Sequence, residues 1–92
     1  MRRIRFQGEA AADLRAITEW YDEIAPHALP NILGDIRRSL DLLERYPRIG
    51  MAVPGRPFRR IVTRAYRFKI AYEVLEEDVI VIGIFRYQDR ES

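Results

Sequence analysis

Two segments in the first half of the chain carry apolar residues at alternating steps of four and three. They are Ala10, Leu14, Ile17, Tyr21 and Ile24 in the first segment, and Leu29, Leu33, Ile36, Leu40 and Leu43 in the second. Residues three and four apart share one face of an α-helix, so each segment predicts a helix with one apolar face. Pro26 and Pro47 predict where the two helices end, because a residue before proline avoids the α-helical region. The connection between them is short, which predicts an antiparallel helical hairpin.

Four other segments predict β-strands, and those at Arg3–Phe6 and residues 66–74 alternate between apolar and polar residues as half-buried strands do. One precedes the helices at Arg3–Phe6, and three follow them at residues 58–63, 66–74 and 79–85. The last segment is apolar on both faces, which predicts an interior strand. Residues 47–57 contain three prolines and two glycines and predict a loop of fixed shape.

The predicted order of elements is therefore β-α-α-β-β-β, an α+β fold in which the helical hairpin packs on one face of a mainly antiparallel sheet. With 92 residues, the chain is expected to form a single domain over residues 1–92. Period two along the third strand places Arg67 and Lys69 on the sheet face away from the helices. The residues expected in the core are Leu14, Ile17, Tyr21, Leu33, Ile36, Leu40, Phe68, Ile70, Tyr72, Ile80 and Ile82.

Charge is distributed unevenly along the chain, although the net charge is only +2. Residues 45–72 carry seven arginines, one lysine and no acid, whereas residues 1–44 and 73–92 are both net acidic. A basic segment of this size indicates an anionic partner, either nucleic acid or an acidic protein; the alternative is a solvated basic face balanced by acidic neighbours. The candidate binding residues are Arg59, Arg60, Arg64, Arg67, Lys69, Arg86 and Arg90.

Several kinds of chemistry find no support in the composition. The chain contains no cysteine, and its one histidine, His27, has no acid or nucleophile beside it in a motif. There is no glycine-rich phosphate loop, and the longest apolar run spans seven residues where a membrane helix needs about 20. We therefore expect a soluble cytoplasmic protein with no metal, no cofactor and no membrane association.

Five short sequence features accompany this order of elements. They are Ala12-Asp13-Leu14-x-x-Ile17-x-x-x-Tyr21, Ala25-Pro26-x-Ala28, Leu43-x-x-x-Pro47-x-x-Gly50, Phe68-Lys69-Ile70-x-Tyr72-x-Val74 and Ile80-x-Ile82-x-x-Phe85. In this order and spacing the chain resembles, over nearly all its length, the RelE/ParE superfamily of toxins from type II toxin–antitoxin, or plasmid stabilisation, systems. The resemblance implies a small growth-inhibitory toxin that a cognate antitoxin neutralises in a toxin–antitoxin hetero-oligomer.

The superfamily divides by mechanism. RelE-like members cleave messenger RNA on the ribosome, with two basic residues two apart on the second strand. By this resemblance the metal-independent ribonuclease residues would be Arg60, Lys69, Arg86 and Tyr87, but Val62 occupies the second basic position. ParE-like members lack that set and poison DNA gyrase by protein contact. We therefore favour the ParE-like branch and a non-enzymatic inhibitor of gyrase, with a ribosome-dependent endoribonuclease as the alternative and an inactive member of a complex as a third reading.

Overall fold

The computed structural model describes residues 2–86, and within them two α-helices and five β-strands follow the order β-α-α-β-β-β-β. The elements are β1 (Arg3–Phe6), α1 (Gly8–Ile24), α2 (Leu29–Arg45), β2 (Met51–Ala52), β3 (Arg59–Val62), β4 (Lys69–Val74) and β5 (Asp78–Phe85). One 3₁₀ turn, Pro26–Ala28, joins the two helices and makes them a hairpin. The helical hairpin predicted from the sequence is confirmed.

Local chemistry accounts for the helix ends. Glu9 lies in the first turn of α1, where its negative charge interacts favourably with the helix dipole, and the helix ends just before Pro26. Pro30 lies in the first turn of α2, where its missing N–H costs no hydrogen bond, and Arg45 lies in the last turn. Neither helix in the described part of the chain is long and apolar enough to cross a membrane.

The five strands form one sheet in the order β1-β5-β4-β3-β2. β1 runs parallel to β5 and the other pairings are antiparallel, which confirms a mainly antiparallel sheet with β5 in its interior. The sequence did not predict β2. Its two residues pair with Arg59 and Arg60, so residues 47–57 contain one arm of a hairpin and are not loop throughout. A strand of two residues is too short to show an alternating pattern.

The connection between β3 and β4 is longer than the sequence pattern indicates. We expected a strand from Tyr66 onward, but β4 begins at Lys69. The Thr63 N–H donates to the Phe68 carbonyl oxygen, and the Phe68 N–H donates to the Thr63 side-chain oxygen, which closes a turn between them. Arg67 lies inside this turn with a φ of 62°, so its predicted place on the outer face of a strand is wrong.

The core lies between the helical hairpin and one face of the sheet. Of the expected core residues, Ile17, Ile36, Phe68, Ile70 and Tyr72 are buried, whereas Leu14, Tyr21, Leu33 and Leu40 are partly buried. α2 is rotated slightly from the predicted stripe, so that Ile32, which lies outside the stripe, is as deeply buried as Asp35 at 1% exposed. The periodicity therefore located the buried face of each helix to within about one residue.

Ile80 and Ile82 are the residues of β5 expected in the core, and this prediction is wrong. Val79, Val81 and Ile84 pack in the core instead. The register between β4 and β5 shifts by one residue at Ile82, which is a β-bulge, so the alternation reverses beyond it. Because β5 is apolar on both faces, its sequence does not distinguish the two sets.

Candidate functional site

A groove of about 610 Å³ follows the outer edge of β3, between α2 and the loop after it. Its apolar walls include Leu42, Ile49, Met51 and Val62, which are 40–69% exposed. Its basic rim is formed by Arg60, Arg64 and Lys69. We term this surface the β3-edge groove. Exposed apolar side chains with a charged rim are typical of a protein interface.

The backbone of β3 is open along this groove. β2 pairs with Arg59 and Arg60 alone, and among the described strands only β4 pairs with Ile61 and Val62. A strand edge left open on one side can accept a strand from another chain, with main-chain hydrogen bonds supplying affinity. The β3-edge groove thus combines apolar walls, positive charge and an open strand edge.

Gly50 and Tyr72 hold the loop after α2 against the sheet. The Gly50 N–H donates to the buried Tyr72 hydroxyl at 2.9 Å, and the Arg59 guanidinium donates to the Gly50 carbonyl oxygen at 2.8 Å. A β-carbon at position 50 would lie 2.5 Å from that hydroxyl and 2.8 Å from the Arg60 carbonyl oxygen, so glycine permits this approach. Burial raises the pKa of Tyr72, against the opposing effects of the Gly50 N–H and the Arg59 charge. These contacts fix one wall of the β3-edge groove.

Asp35, a buried residue of α2, holds the turn between β3 and β4 in place. One carboxylate oxygen accepts the Ala65 N–H at 3.0 Å, and the other accepts the Tyr66 N–H at 2.8 Å. Arg64 immediately precedes these two residues, so Asp35 sets the position of a basic side chain on the rim.

The surroundings of Asp35 favour its charged form. Burial by itself raises the pKa of this carboxyl group, but hydrogen bonds from Thr63, Tyr66 and Ala65 and the nearby charge of Arg38 lower it. The net result is a pKa below the ordinary value of 3.8. An ionised carboxylate makes stronger hydrogen bonds to N–H groups than a protonated one, so the anchor of the turn is charge-assisted.

Arg60 and Lys69 lie close together, as the sequence pattern indicates. Lys69 pairs directly with Val62, two residues after Arg60, and directly opposed residues share one face of a sheet. Arg60 and Lys69 are therefore diagonal neighbours on the face away from the helices. Val62 lies on the same face, two residues after Arg60 and directly opposite Lys69.

The remaining predicted residues lie elsewhere. Arg59 contacts the backbone of Gly50, and Arg67 lies in the turn before β4. The guanidinium of Arg86 lies 5.9 Å from the ring centroid of Trp20 in α1, in a different cleft from Arg60 and Lys69. Tyr87 and Arg90 fall outside the described residues.

Sequence reasoning missed the residues that shape the groove rather than line it. Asp35 directly precedes Ile36 of the predicted stripe, so an acid beside the buried face of α2 was the available signal. The sequence shows Gly50 only as part of a motif, and Tyr72 only as part of a motif and as a core residue. No group of three or more His, Asp or Glu side chains within residues 2–86 is placed to hold a metal ion.

Comparison with known proteins gives one family and several similar structures. The family model for the ParE toxin of type II toxin–antitoxin system, parDE, matches residues 4–91. No curated protein matches the chain significantly. A solved structure titled as the chromosomal ParDE toxin–antitoxin system from P. aeruginosa is similar to this chain, with a TM-score of 0.79 and 22% identity. The match covers 96% of this chain and 98% of that one.

Two further structures share the fold at lower similarity. The intact E. coli RelBE toxin–antitoxin complex contains a chain with a TM-score of 0.63 and 16% identity, covering 98% of this chain and 100% of that one. A conserved hypothetical protein from Helicobacter pylori also has a TM-score of 0.63, with 12% identity over 97% of this chain and 98% of that one. At these identities the structural likeness establishes the fold.

Proposed function

Since the chain belongs to the ParE toxin family of type II toxin–antitoxin systems, we propose that it inhibits growth by poisoning DNA gyrase through protein–protein contact. The match over residues 4–91 is the observation that carries this proposal. The arrangement on the outer face of β3 supports it, because Val62, on the same face as Arg60 and Lys69, stands where a ribonuclease of the RelE type has a second basic residue. The proposed place of action is the cytoplasm, where gyrase is located.

The test of this function begins with induced expression. A gyrase poison produces filamentous cells with DNA damage, and the purified chain causes gyrase to accumulate cleaved DNA. Rapid arrest of translation with cut messages, and no effect on purified gyrase, would contradict the proposal. Absence of any growth defect would favour the inactive member of a complex.

A ribosome-dependent endoribonuclease is the second candidate, and one observation favours it. Arg60 and Lys69 are diagonal neighbours on one face and can together approach a phosphate. The double variant Arg60→Ala/Lys69→Ala separates the two functions. A ribonuclease loses cleavage by about two orders of magnitude or more when charge stabilisation of its transition state is removed. A gyrase poison that uses another surface retains most of its toxicity.

The cognate antitoxin is the second partner, and we place it in the β3-edge groove. The basic rim attracts an acidic segment and orients it, whereas the apolar walls supply most of the affinity. We expect Asp or Glu of the antitoxin opposite Arg60, Arg64 and Lys69. The sequence also suggested Arg59 and Arg67 for this role. Arg59 instead helps to shape the groove through its bond to the Gly50 carbonyl oxygen, and Arg67 lies in the adjoining turn.

Substitutions in the apolar walls test the antitoxin site. Leu42→Ser and Met51→Ser remove exposed apolar contacts and are expected to weaken antitoxin binding about tenfold or more, as measured by calorimetric titration. Leu75→Ser is the matched control, since Leu75 is 44% exposed, close to the 48% of Leu42, and lies after β4 outside the groove. Unchanged affinity in the groove variants would place the antitoxin on another surface.

A further inference from the structure

α1 has an apolar stripe on its outer surface in addition to the face that it buries. Ala16, Trp20 and Ile24 follow one another at steps of four, so they lie in one row along the helix. Trp20 is 49% exposed and Ile24 is 54% exposed. We term this row the α1 stripe. A tryptophan exposed to this degree beside an exposed isoleucine is an apolar surface that the described chain does not cover.

A cleft of about 330 Å³ lies beside the α1 stripe, between α1 and the end of β5. The Ile84 N–H donates to the Asp13 carboxylate at 3.0 Å, which fixes α1 to β5 at this point. Trp20 and Phe85 both line the cleft, and Arg86 lies over the Trp20 ring. The stripe is therefore presented by a helix fixed to the sheet beneath it, and a partner can bind without first ordering it.

The helix that carries the α1 stripe is net acidic, and Arg86 contributes one positive charge over the Trp20 ring. α1 contains five acids and one arginine, and Glu19 and Glu23 form an exposed row next to the stripe. This is the reverse of the β3-edge groove, whose rim is basic. An acidic segment drawn to the groove is repelled at the α1 stripe, whereas a basic segment is attracted there.

We propose that the α1 stripe is the surface with which the toxin docks on its target protein, and that it takes an apolar side chain of that protein flanked by Lys or Arg. This inference rests on the proposed function, in which the toxin acts on a protein by contact. Trp20 is the central anchor, because a tryptophan contributes a large contact area at low entropic cost. The antitoxin then binds one surface and the target another.

Paired variants on the two surfaces test the proposal. Trp20→Ser and Ile24→Ser alter the α1 stripe, and Leu42→Ser and Met51→Ser alter the β3-edge groove as matched controls. Growth inhibition, inhibition of purified gyrase and antitoxin affinity are measured for each variant whose thermal melting matches the parent. The stripe variants are expected to need about tenfold or more protein for the same inhibition while binding antitoxin within threefold of the parent. The groove variants are expected to show the reverse.

A charge-reversed variant tests the basic character of the partner. Glu19→Lys/Glu23→Lys leaves the apolar side chains intact, and we expect it to weaken inhibition several-fold at low salt, with the difference shrinking as salt screens it. An effect of the same size at all salt concentrations would overturn this part of the inference. The double variant also covers the case in which Trp20→Ser fails to fold.

Other occupants of the α1 stripe give distinct outcomes, because Trp20 is the only tryptophan of the chain and its fluorescence reports on the stripe. Emission is expected to be unchanged on dilution and on adding an antitoxin whose tryptophans are replaced. A shift on dilution identifies a second copy of this chain as the occupant, and a shift with antitoxin identifies the antitoxin; either overturns the inference.

The two proposals fail in different ways. If the parent poisons gyrase and the stripe variants do so equally, the docking surface is wrong and the gyrase proposal stands. Suppose that the parent stops growth without affecting gyrase, and that the stripe variants no longer stop growth. The gyrase proposal is then wrong and the docking surface stands. If the parent inhibits neither growth nor gyrase, both are wrong.

Discussion

The β3-edge groove and the α1 stripe are both partly apolar, but they differ in charge and in what supports them. Polar contacts shape the groove: the Asp35 carboxylate holds the turn at one end, and the Tyr72 hydroxyl holds the Gly50 loop at the other. The α1 stripe rests on a helix whose inner face, including Ile17, packs in the apolar core. The groove depends on a few directional bonds, whereas the stripe depends mainly on buried area, with one hydrogen bond from the Ile84 N–H to Asp13 beside it.

This difference predicts how substitutions act on the two surfaces. Loss of a polar contact leaves a donor such as the Gly50 or Tyr66 N–H without its protein partner and disturbs the segment to which that donor belongs. Loss of apolar packing acts through the core that both surfaces share. Substitutions at the polar contacts should therefore alter the groove and leave the stripe intact, whereas core substitutions should weaken both surfaces together.

The largest effect is expected from the core. Ile36 is 2% exposed and packs between α2 and the sheet, so Ile36→Ala should lower the free energy of unfolding by about 2–5 kcal/mol. Chemical denaturation measures this value, and Trp20 fluorescence follows the unfolding. Leu42→Ala on the same helix is the control, because Leu42 is 48% exposed and its loss should cost about 0.5 kcal/mol or less. Equal losses in the two variants would contradict the assignment of the buried face of α2.

The next largest effect is expected at Asp35. Asp35→Ala removes the acceptor for the Ala65 and Tyr66 N–H groups and should lower the free energy of unfolding by about 2–4 kcal/mol. Amide hydrogen exchange should rise at these two residues. Trp20 emission should stay unchanged if the groove and the stripe are independent.

Asp35→Asn is the matched variant for this site. It keeps an oxygen acceptor of the same size and loses the charge, so its loss of stability should be smaller than that of Asp35→Ala. Antitoxin affinity should fall in both variants, because Arg64 is carried by the turn that Asp35 holds. Exchange at Ala65 and Tyr66 that does not change in either variant would show that the turn is held by other contacts.

The outline of the fold follows from local patterns, and the parts that do not follow depend on contacts between distant residues. The helices and β1 were predictable because each carries a repeating pattern of its own. The bulge at Ile82 was not, because it depends on the register between β4 and β5. β2 is visible only through its pairing with β3, and it lies in a segment rich in proline and glycine.

The candidate site divides in the same way. The basic residues Arg60, Arg64 and Lys69 were found because charge is evident in the sequence itself. Asp35 and Tyr72 were missed as groove-shaping residues, because their bonds join positions 22 to 31 residues apart. The α1 stripe was missed because its apolar residues adjoin the buried face of the same helix, and one broad apolar face does not separate what is buried from what is exposed.

A smaller effect is expected at Gly50. In Gly50→Ala the new β-carbon would lie 2.5 Å from the Tyr72 hydroxyl, and 2.8 Å from the Arg60 carbonyl oxygen, which is fixed in the sheet. Overpacking of this kind typically costs about 1–3 kcal/mol, and the loop that forms one wall of the groove should move. Denaturation and antitoxin titration measure the two consequences.

Gly8→Ala is the control for Gly50→Ala. A β-carbon at position 8 meets no atom within 4 Å, so its addition should change stability by about 0.5 kcal/mol or less. Antitoxin affinity should also stay at the parental value. A loss of stability in Gly8→Ala as large as in Gly50→Ala would mean that the close approach at Gly50 does not limit the side chain there.

The smallest effect concerns acid pH, and it acts through Asp35, which supports the β3-edge groove. The pKa of Asp35 lies below its ordinary value in the folded chain, so the unfolded chain binds a proton at a higher pH than the folded one. The contribution of this group to stability is therefore complete above the ordinary value of 3.8, and it is lost as pH falls through the lower folded-state pKa. The difference in stability between the parent and Asp35→Asn should narrow in that range. Denaturation between about pH 2 and pH 6 measures it, and a difference that stays constant across this range would show that Asp35 does not act through its charge.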